Sequence, residues 1–475
     1  MTDLKVLIAA SEVSPYVKSG GLGDVAGSLP KALREHGVDA RVVLPKYNAI
    51  RGKYLENAKH ISSFPIQLSW RNPEASIHEL AGDIPTYLIG NDYYFDRGDL
   101  YGYHDDYERF SFFSKAAIEF LNHIEFIPDI IHFNDWQTGL GCVHLRDIYS
   151  RYLPLSGVKS LFTIHNIQYQ GTFGRDILPD VGLDMSYAAD DKLEFYHQIS
   201  FLKGGLIYSD AISTVSEAYM QEIQTPFYGY GLDGVLRGQR DKLYGILNGI
   251  DYGANDPKTA AIAENYSVKS LKGKKTCKRA LQRKLNLAET DAPMIGIVTR
   301  LADQKGIDLI AVAFEELLSM DIQLVLLGTG EERYEHMFRQ MAWRAPDRIS
   351  ANIFFDDDLA RDIYAGADIF LMPSLFEPCG LGQMFAMRYG TIPVVRHTGG
   401  LADTVTHFDP GTKTGNGFVF QDYDANGMMW ALRRAVDVYG SGSWQKLVKN
   451  AMNCDFSWAK SAEKYIDLYE RLKSI

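Results

Sequence analysis

Short apolar runs bounded by glycines and polar turns alternate along this chain with stretches whose apolar residues recur every three or four positions. Residues 4–10 read as a strand. Leu22, Val25, Ala26, Leu29 and Leu33 follow at helical spacing until Gly37, with Pro30 inside the pattern as a kink. Residues 38–44 read as a second strand, so the chain opens as a strand–helix–strand unit of a parallel α/β sheet. Further strands end at residues 132–136, at 165–166 and at 216, and residues 244–251 look like the last of this domain. A Lys-rich polar stretch, 258–284, then breaks the pattern. The alternation restarts at Met294, with strands read at 294–299, 324–327, 353–355, 367–372 and 392–395. Trp458, Ala462, Tyr465, Ile466, Tyr469 and Leu472 share one face of a closing helix. The expected fold is α/β, with two doubly wound Rossmann-like domains over residues 1–243 and 244–456 and an intervening cleft. Residues 457–475 would return as a helix to the N-terminal domain.

Composition narrows the class. Hydrophobic residues make up 46% and charged residues 23%, ordinary for a soluble enzyme with large cores. A net charge of -11 argues against nucleic acid or an anionic membrane as partner, so any basic site for an anion must be local. Four separated cysteines without a Cys-x-x-Cys pair indicate neither a disulfide framework nor a zinc site. No secretory signal or membrane-spanning run is legible, and a cytoplasmic location is expected.

Candidate chemistry gathers at strand ends. Glu377 lies on a strand-to-helix turn, where open parallel sheets bind ligands, and Gly380 and Gly382 let a ligand approach the backbone. Gly20, Gly21 and Gly23 between the first strand and helix, with Lys18 just before, suit an anion. They match neither the dinucleotide fingerprint nor a P-loop, which disfavours a dehydrogenase. One strand ends in His132, Asn134, Asp135 and Trp136, another in His165 and Asn166. An aromatic face with amide and carboxylate groups suits a sugar; either histidine alone reads better as a satisfied core residue, but two such strand ends in one domain point toward a site. Residues 93–113 are aromatic-rich, as a carbohydrate platform or as core. Arg300 and Lys305 follow a strand and fit a diphosphate, and residues 397–404 form one more glycine turn.

These motifs carry a resemblance. Lys18-Ser-Gly-Gly-Leu-Gly-Asp-Val25 resembles the Lys-x-Gly-Gly-Leu signature of bacterial glycogen synthases and plant starch synthases. Asn134-Asp-Trp, Thr163-Ile-His-Asn166, Leu247-Asn-Gly-Ile-Asp251, Arg300 with Lys305, Phe376-Glu-Pro-Cys-Gly-Leu381 and Thr398-Gly-Gly-Leu-Ala-Asp-Thr404 fall in that family's order and spacing, over nearly the whole chain. The resemblance implies a GT-B glycosyltransferase. It would move glucose from ADP-glucose to the non-reducing end of an α-1,4-glucan such as glycogen, with retention and without a metal or other cofactor. By the same resemblance Arg300 and Lys305 hold the diphosphate, assisted by Lys18 and by backbone amides at Gly20, Gly21 and Leu381. Cys379, Gly380, Thr398 and Gly399 fall on the nucleotide side, with Asp24 and Asn248, and Phe355 stands against the base. Glu377 would bind glucosyl hydroxyls, Asp135 glucosyl or acceptor hydroxyls, and His165 would stand beside the anomeric carbon. Tyr94 and Trp136 would lie on the acceptor side.

Three positions depart from the family pattern. Phe355 stands where a Tyr is frequent, Leu375 where an Arg is, and Gly253-Ala-Asn-Asp256 where a Trp-containing segment is common. Two other readings remain: a glucan-binding protein without turnover, and a related transferase with another acceptor. Same-face attack and double displacement through a carboxylate are both open as mechanisms.

Overall fold

The computed structural model describes residues 3–50 and 52–474. The chain forms two compact units, the second spanning Ile250–Ser457 and the first combining the residues up to Gly249 with those from Trp458 onward. The first boundary lies beyond residue 243 because Leu243–Gly245 is itself a strand of the first sheet, paired with Ala211–Thr214.

The first unit holds a nine-stranded sheet. Its order is Leu243–Gly245, Ala211–Thr214, Lys159–Ile164, Ile130–Asn134, Lys5–Ala9, Asp39–Pro45, Thr86–Gly90, Glu74–Leu80 and Lys59–Pro65. The first seven run parallel, and their mostly unbroken apolar runs follow from burial on both faces. Glu74–Leu80 and Lys59–Pro65 add an antiparallel edge that the sequence did not reveal. Those two strands carry histidines, serines and glutamates, and the outer one buries only Phe64. The strand at Lys5–Ala9 has Asp39–Pro45 on one side and Ile130–Asn134 on the other. Strand order reverses there, so the loops leaving Ala9 and Asn134 flank a switch point where α/β sheets take ligands.

The C-terminal helix, Trp458–Lys473, packs on the helix Gly21–Glu35. Its Tyr469 hydroxyl meets His132 Nδ1 at 2.8 Å, and Ser461 Oγ donates to the Leu247 carbonyl at 2.6 Å. His132 is therefore a core residue: it is fully buried, its Nε2 meets Thr163 Oγ1, and burial pushes it down to about 3.

The second unit's sheet runs Ile349–Asn352, Gln323–Leu327, Met294–Val298, Ile369–Met372, Ile392–Arg396, Phe418–Phe420, all parallel. The strand expected at 353–355 lies earlier, at Ile349–Asn352, in register with Leu324–Leu327; Phe355 is left 79% exposed. This sheet's own switch point falls between Met294–Val298 and Ile369–Met372, the strands that lead to Arg300 and Glu377. Within the Lys-rich stretch, Lys272–Lys284 is a helix. It buries two of its lysines: Lys278 Nζ reaches Asp368 at 2.6 Å, and Lys274 Nζ reaches Thr391 Oγ1 at 2.8 Å. Long aliphatic stems let such residues enter a core when their ends find partners.

Candidate active site

In the second unit, Glu377 is 6% exposed and its carboxylate is gripped by Lys305. Lys305 Nζ lies 2.9 and 2.7 Å from the two carboxylate oxygens, and Ser374 Oγ donates to one of them at 3.1 Å. Glycine makes this meeting possible. Gly306 has φ of +69°, and a Cβ there would sit 2.0 Å from the Pro373 carbonyl oxygen. The loop bearing Lys305 thus rests directly on the turn bearing Glu377, joined by Leu375 N–H to Gln304 O at 2.9 Å. On the other side a Cβ at Gly399 or Gly400 would fall 2.0 Å from Glu377 O or 1.9 Å from Cys379 O. Gly400 N–H donates to Glu377 O at 3.0 Å. The three glycine-bearing segments singled out in this half of the sequence are one packed cluster.

Close to the pair in the chain stand Arg300 and two backbone amides that could meet an anion. Arg300 is exposed, and its guanidinium has no ion pair or hydrogen bond among the described residues. The amides of Gly380 and Leu381 donate to no group among those residues. Cys379 and Thr398 are buried beside them.

The first unit contributes a second constellation at its own switch point. Asp135 has φ of 57° and ψ of -179°, a region that is almost exclusively glycine's and costs about 1–3 kcal/mol. Its carboxylate accepts from His165 N–H at 2.7 Å, and burial pushes it up to about 7. Asn134 Nδ2 donates to the carbonyls of Ala9 and His132 at 3.1 and 3.0 Å, so its Oδ1 is the atom facing His165 Nε2 at 2.9 Å. Nε2 therefore carries the proton. Burial pushes His165 down to about 3, which keeps the ring neutral and leaves Nδ1 a lone pair with no partner among the described residues.

Asn248 is 4% exposed, and its Oδ1 is a buried acceptor without a donor among the described residues. Lys18 pairs with Asp24 at 3.2 Å. Gly21 is open on its Cβ side, whereas the Gly20 N–H is already donated to Glu12 at 3.1 Å and so is not available to a ligand here. Glu12 escaped the sequence reading because nothing in its spacing sets it apart from any polar residue after a strand.

Two aromatic residues that the resemblance assigned to the acceptor side pack against other rings of the first unit. Tyr94 is no platform: it is 2% exposed, ringed by Phe95 and Phe112, and its hydroxyl bonds the Glu108 carboxylate. Its neighbour Tyr93 is the exposed ring, with Arg97 over it. Trp136 packs among Phe110, Phe173 and Phe201, and Gly171 lies so close that a Cβ would fall 2.3 Å from the indole. Aromatic residues near a site are more often its wall than its bench.

No group of three or more His, Cys, Asp or Glu among the described residues is disposed to hold a metal ion. No helix among them is long and apolar enough to cross a membrane.

Comparison with known proteins fits both halves. Residues 5–238 match the starch synthase catalytic domain family, and residues 278–453 match glycosyl transferases group 1. The glycogen synthase of Clostridium novyi is 48% identical over 475 residues, covering 99% of each chain. That of Geobacillus stearothermophilus is 49% identical, covering 99% of this chain and 98% of its own. Among solved structures, the catalytic domain of Arabidopsis thaliana starch synthase IV, bound to ADP and acarbose, superposes with a TM-score of 0.93 at 36% identity over 99% of both chains. Sucrose-phosphate synthase from Thermosynechococcus elongatus shares the fold, with a TM-score of 0.64 at 18% identity. The protein is a glycosyltransferase of the GT-B kind. The chain belongs to the family of bacterial glycogen synthases and starch synthases.

Proposed function

We propose that the enzyme transfers glucose from ADP-glucose to the non-reducing end of an α-1,4-glucan, with retention of configuration. The observation that carries this reading is the Lys305–Glu377 pair, together with Arg300 and the amides of Gly380 and Leu381, which have no partner among the described residues. When the glucosyl–phosphate bond breaks, negative charge builds on the departing diphosphate and positive charge on the sugar. Arg300 offers a fork to the diphosphate, and Lys305 has a third N–H left after bridging both oxygens of Glu377. Glu377 accepts from glucosyl hydroxyls and fixes the ring.

In the first unit, His165 is the group assigned to the anomeric centre. A neutral imidazole adds no repulsion to the positive sugar, whereas an imidazolium would oppose it, and its burial holds it neutral across the working range. Asp135 and Asn248 are assigned to hydroxyls of the sugar or acceptor, and Phe355 to the base. The names of the relatives support glycogen as acceptor, and the ADP in the Arabidopsis structure supports an adenine donor.

The test is nucleotide release with glycogen and either ADP-glucose or UDP-glucose, in chelator. Release and incorporation of glucose from ADP-glucose alone supports the reading. Incorporation from UDP-glucose alone overturns the donor, and incorporation from neither overturns the reaction.

A further inference from the structure

Glu12 follows the first strand and is 4% exposed, yet no ion pair meets its carboxylate among the described residues. Four donors converge on it instead. Ser19 Oγ donates to Oε1 at 2.7 Å and the Tyr101 hydroxyl to the same oxygen at 2.7 Å. The backbone N–H groups of Ser19 and of Gly20, the latter at 3.1 Å, donate to Oε2. Tyr101 is in turn held against Ser11 Oγ at 2.8 Å. A carboxylate has about four lone-pair sites, so Glu12 is saturated and has none left for a substrate proton.

Lys18 pairs with Asp24 at 3.2 Å, which ties one end of the loop to the helix, but the tip at Gly20 and Gly21 depends on Glu12. A Cβ at Gly20 or Gly21 would meet nothing within 4 Å, so no side chain packs on the tip. Gly20 is extended, with φ of -157° and ψ of -165°, and the helix begins at Gly21. Turning the Ser19 and Gly20 amides inward leaves Gly21 N–H and the Lys18 ammonium as the outward groups. A bare carboxylate under an anion loop would repel the ligand; one wrapped in four donors is largely screened by them.

We propose that Glu12 is the positioning residue of the 18–21 loop: it acts as a hydrogen-bond clamp that sets the loop for the donor's diphosphate, and neither as acid, base nor charge. This rests on the reading of that loop as a donor contact. Glutamine at position 12 keeps the clamp without the charge. Its carbonyl accepts from the two amides, and its NH2 donates to the two hydroxyls, which rotate to accept.

The experiment compares Glu12→Gln, Glu12→Ala, Tyr101→Phe and Lys18→Ala by KM for ADP-glucose, KM for glycogen and Kd for ADP. Glu12→Ala raises the donor KM and the ADP Kd roughly tenfold or more, with glycogen KM unchanged, while Glu12→Gln stays within about threefold of the parent. Tyr101→Phe removes one of the four donors, leaves the buried charge, and gives a rise of roughly two- to threefold; it serves if Glu12→Ala does not fold. Glutamine as damaging as alanine overturns the clamp in favour of charge or proton transfer. Lys18→Ala raising the donor KM while Glu12→Ala does not overturns the clamp alone. Lys18→Ala leaving donor KM and ADP Kd unchanged overturns the loop's donor role, and the proposal with it.

Discussion

Lys305 Nζ bridges both carboxylate oxygens of Glu377, at 2.9 and 2.7 Å, although 72 residues separate them in the chain. Both groups are largely buried, so each would be costly to leave alone. The pair couples the loop after one strand to the turn after its sheet neighbour and, in the proposed reaction, would couple the handling of the leaving group to that of the sugar.

That coupling depends on backbone contact at Gly306 and Gly399. Alanine at either position puts a Cβ 2.0 Å from a carbonyl oxygen, at positive φ. Gly306→Ala and Gly399→Ala are expected to lose roughly 1–3 kcal/mol of stability and most activity, because the segments must separate. Gly98→Ala, in open space, is the neutral control. Denaturant unfolding and turnover on the same preparations check this.

Asp135 is strained so that its carboxylate can reach the His165 amide. Asp135→Ala and Asp135→Gly both remove the carboxylate and both should abolish most activity. The glycine variant should nevertheless be more stable than the alanine variant by about 1 kcal/mol or more, the reverse of the usual order. Thermal unfolding of the two variants side by side decides it.

How much of this was legible beforehand depends on what each residue answers to. Most of the parallel strands announced themselves as apolar runs, but Thr86–Gly90 and Phe418–Phe420 were not read and Ile349–Asn352 was placed a few residues late; the glycine turns stood out because so few residues tolerate the contacts they make. The antiparallel edge at Lys59–Pro65 was not readable, since a strand with one buried side chain has almost no pattern. Residues 258–284 read only as a Lys-rich polar stretch because composition does not say which lysines find partners. Residues 93–113 read as platform or as core because aromatic density looks the same in a wall and on a surface. Glu12 and the Asn134–His165 bond lie at a further remove: they depend on which atoms face each other, and spacing carries no such information.

Three histidines, the buried His132 and His144 and the half-buried His165, are each pushed down to about 3 by their removal from water. Folding thus favours their neutral forms. The stability this contributes is fully present above the ordinary value of 6.5 and is lost as pH falls from there toward 3. Asp135, pushed up to about 7, has the opposite sign: its contribution is present below the ordinary 3.8 and is lost as pH rises toward 7. With three imidazoles against one such carboxylate, Tm should fall from pH 7 to pH 5. His144 has both ring nitrogens unpartnered among the described residues, so His144→Leu should flatten that slope. A Tm series from pH 5 to 8 on both proteins checks it.

The central claim is that Lys305 and Glu377 act as one unit, and a double-mutant cycle on transfer from ADP-glucose to glycogen tests it most directly. Lys305→Ala and Glu377→Ala are each expected to lower kcat by roughly 10²–10³. Because each variant strands the other's charge, the double variant should be no slower than the worse single one. Losses that multiply, so that the double variant falls by the product of the two, would contradict the account and make them two independent groups.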